Sequence, residues 1–288
     1  MSESSNRLKE RPHRAGENRL LWGIPLTEHL FSAYFRKWLD LKINPDRVIT
    51  MGGIYLPDAH NKMIDFARAR RDWDGLVWLE HDHTFPPQMI TRLESYGEDI
   101  DIASFLYFGR NAIDPWPMAG MWNPQERHKA TAPNWRGECD TCGRDVKAEG
   151  DQHPAQPYGM RYLLPSELIP MLQEPGLYPV DFVPSGFTFI RRRVFENWPA
   201  DLKPWYETIA DTDDVAGAGD DVRFAKLAQQ QGYQCYLDTW CPETEDGRHL
   251  DVKHLTAFEL GRDYWWDRIK FRHFQNMHGE AVEYRRHS

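Results

Sequence analysis

The most chemically capable stretch of this chain is Glu80-His81-Asp82-His83, which follows the apolar run Leu76-Val77-Trp78-Leu79 and precedes Phe85-Pro86-Pro87. Two carboxylates two positions apart on a strand end or turn can both reach one hard cation or one cluster of phosphates, because such cations take oxygen ligands. Alone, a Glu-x-Asp is more often a solvated strand end, and no role for His81 or His83 follows from their spacing. Two further groups downstream raise its weight: the adjacent carboxylates Asp220-Asp221 and the imidazole of His254. Each has an ordinary explanation. An acidic pair at a helix start is favoured by the helix dipole, and a single histidine is usually a surface or core residue.

These residues need a frame, and the hydrophobic pattern supplies one. A short apolar run that ends abruptly in polar residues reads as a buried parallel strand delivering chemistry at its C-terminal edge. That edge is where ligands bind in open α/β sheets. Pro86-Pro87 suits the first turn of a helix running to Tyr96. Upstream, Arg19–Pro25 reads as a first strand, ended by Gly23 and Pro25. Thr27 then caps a helix with Leu30, Phe31, Tyr34, Phe35, Trp38 and Leu39 on one stripe. Val48–Met51 is a second strand, broken by Gly52-Gly53, and a helix from Asp58 to about Arg70 leads into the strand that ends at Glu80. The order β-α-β-α-β predicts a parallel Rossmann-like sheet with right-handed crossovers, with Ile100–Tyr107 as the adjacent strand. From Arg110 to about Pro157 the pattern dissolves into prolines and tryptophans, which marks a lid or an insertion. Later elements are a strand at Phe187–Ile190 and an amphipathic helix from Asp220 to Gln231, closed by Gly232. Tyr233–Asp238 follows as a short strand. Residues 1–17 read as a flexible polar tail, 18–257 as the main domain with an insertion at about 110–160, and 258–288 as an aromatic, basic helical tail.

Composition narrows the class. A chain of 288 residues with 41% hydrophobic and 27% charged residues can bury a substantial core. Its net charge of −9 argues against a footprint along duplex nucleic acid, but leaves a local contact to a flipped base open. No apolar run reaches membrane-spanning length and the N-terminus has no signal-peptide core, so a cytoplasmic protein is expected.

In order, His60-Asn61, Glu80-His81-Asp82-His83, Val183-Pro-Ser-Gly-Phe-Thr-Phe-Ile-Arg-Arg192, Gly219-Asp220-Asp221 and Asp251-Val-Lys-His254-Leu resemble the motif series of GT-A glycosyltransferases. The likeness is to the family-2-like enzymes of bacteria and their phages, and runs from about Arg19 to Thr256. Two departures are Glu80, where the family has the first Asp of its D-x-D, and His60-Asn61, where Arg-Asn is common. The resemblance implies an α/β GT-A fold, a Rossmann-like mixed sheet flanked by helices and carrying the irregular Trp/Pro-rich insertion. It implies transfer of a sugar from a UDP- or GDP-sugar to an acceptor hydroxyl, by inversion. Asp221 would be the general base. Asp82 and His254 would be ligands of Mn2+ or Mg2+, the imidazole favouring manganese. Pro25, Asn61, Glu80, Gly186 and Asp220 would contact nucleotide or sugar. The acceptor could be a glycan, a small molecule or a modified nucleobase. The alternative from a different class is a zinc-stapled nucleotide- or nucleic-acid-binding module without transferase activity.

Four cysteines in this length indicate a reducing compartment rather than a disulfide scaffold. Cys139-Asp-Thr-Cys142-Gly143 is a C-x2-C-Gly half-site for structural zinc inside the irregular insertion. Cys235 and Cys241 could complete a four-thiolate site, with His128 or His153 as substitutes. Against this, Cys235 lies in an alternating strand pattern and suits an ordinary buried thiol.

Overall fold

The computed structural model describes residues 19–26, 43–81, 83–109, 117–130, 137–148, 150–242 and 253–254; at Thr84, Lys253 and His254 it describes the backbone alone. The Thr27–Leu39 helix, both expected tails and Asp82 fall outside these residues.

The strands are β1 (Leu20–Leu26), β2 (Val48–Gly52), β3 (Gly75–Leu79), β4 (His83–Thr84), β5 (Ile102–Phe105), β6 (Gly120–Trp122), β7 (His128–Lys129), β8 (Gln152–His153), β9 (Met160–Tyr162), β10 (Leu177–Val180), β11 (Phe187–Arg191), β12 (Cys235–Asp238) and β13 (Lys253–His254). The helices are α1 (Leu56–Ala69), α2 (Gln88–Glu94), α3 (Pro165–Gln173), α4 (Arg192–Glu196) and α5 (Asp220–Gln230). Seven strands form the central sheet in the order β10-β12-β5-β11-β3-β1-β2. β3, β1 and β2 run parallel, as do β12 and β5, while β11 runs antiparallel to both β3 and β5. The architecture is a mixed α/β sheet flanked by helices.

Alternation along each strand splits the core into two faces. Leu21, Leu76, Trp78, Ile190 and Leu237 point toward α1, α4 and α5, whose Met63, Ile64, Val194, Phe195, Phe224 and Ala228 cover them. Trp22, Val77, Leu79, Phe187 and Phe189 point the other way, against Met89 and Leu93 of α2. Two glycines allow large rings to lie on neighbouring strands. A Cβ on Gly75 would lie 2.0 Å from the Phe189 ring, and one on Gly23 would lie 2.2 Å from the Trp78 ring.

The sheet departs from expectation at its centre. The neighbour of β3 is β11, not the Ile102–Phe105 strand, because a wholly buried antiparallel strand from far along the chain slots between them. Three consecutive arginines, Arg191-Arg192-Arg193, span the end of β11 and the start of α4, a run whose charge could grip a phosphate. Register pairs Arg191 with Gly75, at the opposite end of β3 from Glu80. There the Arg191 guanidinium donates to the carbonyls of Tyr96, Gly97 and Ile100, and Arg193 pairs with Asp101. Within the insertion, expected to be irregular, short antiparallel pairs form between β6 and β9 and between β7 and β8. Among the described residues no helix is long and apolar enough to cross a membrane.

Because the Trp78 ring occupies the space beside Gly23, a Gly23→Ala protein should lose about 1–3 kcal/mol of stability from overpacking, read as a lower urea midpoint with an unchanged slope. An unchanged midpoint would show that the ring moves aside without cost.

Candidate active site

The C-terminal ends of β3 and β5 and the start of antiparallel β11 lie along one edge of the sheet, and the polar residues gather there. Glu80 leaves β3 with its backbone N–H donating to the Gly186 carbonyl at 2.9 Å. The Gly186 N–H in turn donates to the Tyr107 hydroxyl at 3.1 Å. The His83 ring meets Tyr107 edge-on, centroids 4.7 Å apart, and its Nδ1 lies 4.0 Å from Glu80 Oε2. Gly186 is required by this crowding. A Cβ there would stand 2.3 Å from the Tyr107 oxygen and 2.8 Å from the His83 ring. Pro25 lies just beyond the paired part of β1 and β3, at the same edge.

β4 pairs antiparallel with β13, setting His254 opposite His83. His83 is the residue that follows Asp82 in the sequence. The side chains of Asp82 and His254 lie outside the described residues.

The second half of the site is the N-terminus of α5. Gly219 caps it and Asp220 and Asp221 occupy its first turn. Asp221 Oδ1 accepts from the Val222 N–H at 2.8 Å. Burial, followed by the charge of Asp220, pushes the Asp221 carboxyl up to about 7. Burial also raises the Tyr107 hydroxyl well above its ordinary value, helped by the charges of Glu80 and Asp221, so both carboxylates act on the same phenol. Tyr162, on β9 of the insertion, is raised by burial and by Asp221 as well.

Beneath Asp220 lies an aromatic floor. His60 of α1 is completely buried, its ring 4.5 Å from Trp78 and 4.6 Å from Tyr206. Its Nδ1 lies 3.5 Å from Asp220 Oδ2. Neither His60 nitrogen nor that carboxylate oxygen has a hydrogen-bond partner among the described residues. A buried polar atom left unmet typically costs about 1–3 kcal/mol, so two that face each other are a candidate functional feature rather than a packing residue. Tyr206 accepts from Trp78 Nε1 at 2.8 Å and stacks on Phe224 of α5. Asn61 holds this floor in place. Its Nδ2 donates to the Tyr206 carbonyl at 2.7 Å and its Oδ1 accepts from the Tyr206 N–H at 3.0 Å. The Asn61 amide is thus spent on the protein backbone and braces the site from below.

The cysteines sort differently from the four-thiolate arrangement. Cys139 and Cys142 lie with His128 and His153, their four ligand atoms all within 4.8 Å of one another. Cys235 is elsewhere, fully buried in β12 opposite Ile102 and Val180, where burial pushes its thiol up to about 12. Cys241 packs against the α2 face of the core. Neither is part of the cluster, because β12 holds Cys235 in the central sheet and Cys241 follows just past the end of that strand. A cavity of about 250 Å³ separates the insertion from the start of α5, lined by Arg144, Gln156, Tyr158, Gly217, Gly219 and Val222, among others.

Sequence reasoning assigns no role to Tyr107, Tyr162 or Tyr206, and His60 enters there only as half of the His60-Asn61 motif, with no role of its own. Tyr107 could have been given one, since it ends an apolar strand at the same edge as Glu80. The other three are placed by tertiary contacts that no local pattern reports.

No protein-family model matches the chain, and no curated protein matches it. Solved structures do. The A197 protein from STIV superimposes with a TM-score of 0.44 at 14% identity, covering 84% of this chain and 98% of that one. GalNAc-T7, crystallised with UDP, GalNAc and Mn2+, superimposes with a TM-score of 0.38 at 10% identity, covering 90% of this chain and half of its own.

The raised Asp221 carboxyl has a signed consequence for stability. The folded protein holds this proton up to about pH 7, whereas the unfolded chain releases it near 3.8. Its contribution to stability is therefore full below pH 4 and is lost as pH rises toward 7. Replacing the group by Asn removes that loss. The stability of Asp221→Asn relative to wild type should climb between pH 4.5 and 7, at a limiting slope of about 1.4 kcal/mol per pH unit. Parallel urea-denaturation curves across this range would show instead that Asp221 is ionised throughout.

Proposed function

We propose that this protein is a metal-dependent GT-A-type glycosyltransferase, moving a sugar from a UDP- or GDP-sugar to an acceptor hydroxyl. The observation that carries this reading is that Glu80 and Asp221 both lie close enough to the Tyr107 phenol to raise its pKa, at the sheet edge where the Asp221 carboxyl is itself raised to about 7. A carboxyl poised near the working pH is suited to general-base work, since it is substantially ionised yet basic enough to accept a proton.

In this reading Asp221 takes the proton of the acceptor hydroxyl as its oxygen attacks the anomeric carbon. Asp220, backed by His60, binds a sugar or acceptor hydroxyl. Glu80 faces the ribose or the metal, and Pro25 and Gly186 line the nucleotide side. Gly186 does so by leaving room, and Asn61 serves by fixing Tyr206. Asp82 and His254 would hold Mn2+ or Mg2+. The register that sets His254 opposite His83 supports a shared site, and one carboxylate with one imidazole suits Mn2+. When bound, such an ion supplies charge neutralisation to the departing diphosphate. With no further carboxylate assigned as a nucleophile, single displacement with inversion is the expected course. The insertion, through Tyr162 and the cavity facing α5, would shape the acceptor side, and the acceptor is a glycan, a small molecule or a modified nucleobase.

The test is release of nucleoside diphosphate from a panel of UDP-, GDP- and dTDP-sugars with Mn2+, in the presence of candidate acceptors. At least one donor should be turned over, and Asp221→Asn should cut that turnover by about 10²–10⁴-fold. Absence of metal-dependent release with every donor would contradict the proposal.

A further inference from the structure

Outside the candidate active site, one cluster has the composition and spacing of a metal centre, and its place in the fold gives it a task. β7 and β8 form a hairpin with His128 directly opposite His153. The loop between them carries Cys139 and Cys142, each eleven positions from one histidine. Cys139 Sγ lies 3.6 Å from His128 Nε2, and Cys142 Sγ lies 3.0 Å from His153 Nδ1. Two thiolates and two imidazoles around Zn2+, with bonds of about 2.3 Å and 2.0–2.1 Å, would stand about 3.3–3.8 Å apart in a tetrahedron. The separations here are close to that already.

Details around the four residues point the same way. His128 Nδ1 donates to the Glu126 carbonyl at 2.9 Å, which fixes the proton on Nδ1 and turns the Nε2 lone pair toward the cluster. The knuckle closes with the Gly143 N–H on the Cys139 carbonyl and the Cys139 N–H on the Arg144 carbonyl, both at 2.7 Å. Gly143 sits at φ +71°, a left-handed conformation suited to glycine. Among the described residues of 125–156 the buried side chains are Ala130, Cys139 and His153, so hydrophobic burial gives this part of the insertion little reason to hold its shape.

We propose that His128, Cys139, Cys142 and His153 bind one Zn2+ ion, and that this ion holds the insertion as a brace for the segment leading into α5. Two residues beyond His153, the Ala155 N–H donates to the Asp214 carbonyl at 2.9 Å and the Ala155 carbonyl accepts from the Ala216 N–H at 2.7 Å. Arg144, two positions past Cys142, reaches Asp211 at 3.3 Å, and Arg127 pairs with Asp214. The braced segment closes on itself through Ile209 and Ala218 and ends at Gly219, the cap before Asp220 and Asp221. Binding requires both thiols to lose their protons to solvent, with no change in oxidation state. The zinc site stands independently of the transferase reading. Only the significance of the brace for Asp221 rests on it.

The experiment uses the full chain. Zinc content is measured after dialysis against a weak chelator, the metal is exchanged for Co2+, and backbone hydrogen exchange is followed with and without metal. One equivalent of zinc is expected. The cobalt form should give the intense visible absorption of tetrahedral Co2+ with a sulfur-to-cobalt charge-transfer band. Both should be lost in Cys139→Ser/Cys142→Ser and kept in Cys235→Ser. His153→Cys, which preserves four ligands, should retain cobalt and so separates ligand loss from misfolding. Metal removal should speed exchange across 209–218 while leaving β3 and β11 protected. Sub-stoichiometric zinc, a weak octahedral cobalt spectrum or zinc retained without Cys139 and Cys142 would overturn the site. Unchanged exchange at 209–218 would overturn the brace.

Discussion

A half-buried carboxyl group, crowded by its surroundings and set beside a second carboxylate, is the condition around which this molecule is arranged. Two groups at the helix N-terminus lower the affinity of Asp221 for its proton: the Val222 N–H and its own N–H. Burial and the charge of Asp220 raise it. A helix dipole offers about 0.3–1 kcal/mol to an exposed charge, whereas a rise from 3.8 to about 7 corresponds to about 4 kcal/mol in favour of the neutral form. Burial wins. The fold maintains this against its own stability, which is characteristic of sites kept for chemistry rather than for packing.

The surroundings make that burial possible. Trp78, Tyr206, His60 and Phe224 form a continuous ring floor under the start of α5, locked by one Trp-to-Tyr hydrogen bond and by the two hydrogen bonds of Asn61. Glycines permit the close approaches. Gly23 makes room for the Trp78 ring, and Gly186 lets β11 begin against Tyr107 and His83. The same antiparallel strand that separates β3 from β5 thus brings the Glu80 turn and the Tyr107 strand end into one neighbourhood.

Much of this frame is visible in the residues themselves. The apolar run to Leu79 with its sudden acids places Glu80 at a strand end, and the stripe after Asp220 with its stop at Gly232, φ +88°, marks α5 almost to the residue. Strand direction is not visible, because a buried strand has the same local pattern either way up, and so β11 was not expected between β3 and β5. The knuckle of Cys139 and Cys142 is equally plain. Its partners are visible only as alternatives, His128 and His153 against Cys235 and Cys241, because β7 and β8 are two residues long and carry no period, and Cys235 has the same residue type as a ligand while belonging to the sheet. Asn61 and Arg191 show the same limit. Their positions suit ligand binding, but their hydrogen bonds go to backbone carbonyls and amides that only the folded chain brings near.

The central claim is that one sheet edge binds a nucleoside diphosphate through a metal held near Asp82, while Asp221 acts on the acceptor. Calorimetric titration of UDP and GDP with and without Mn2+ tests it most directly, on wild type, Asp82→Ala and Asp221→Asn. The account predicts metal-dependent binding of one nucleotide that Asp82→Ala abolishes and Asp221→Asn retains. Binding that is indifferent to Mn2+ and to Asp82, or absent for both nucleotides, would contradict it.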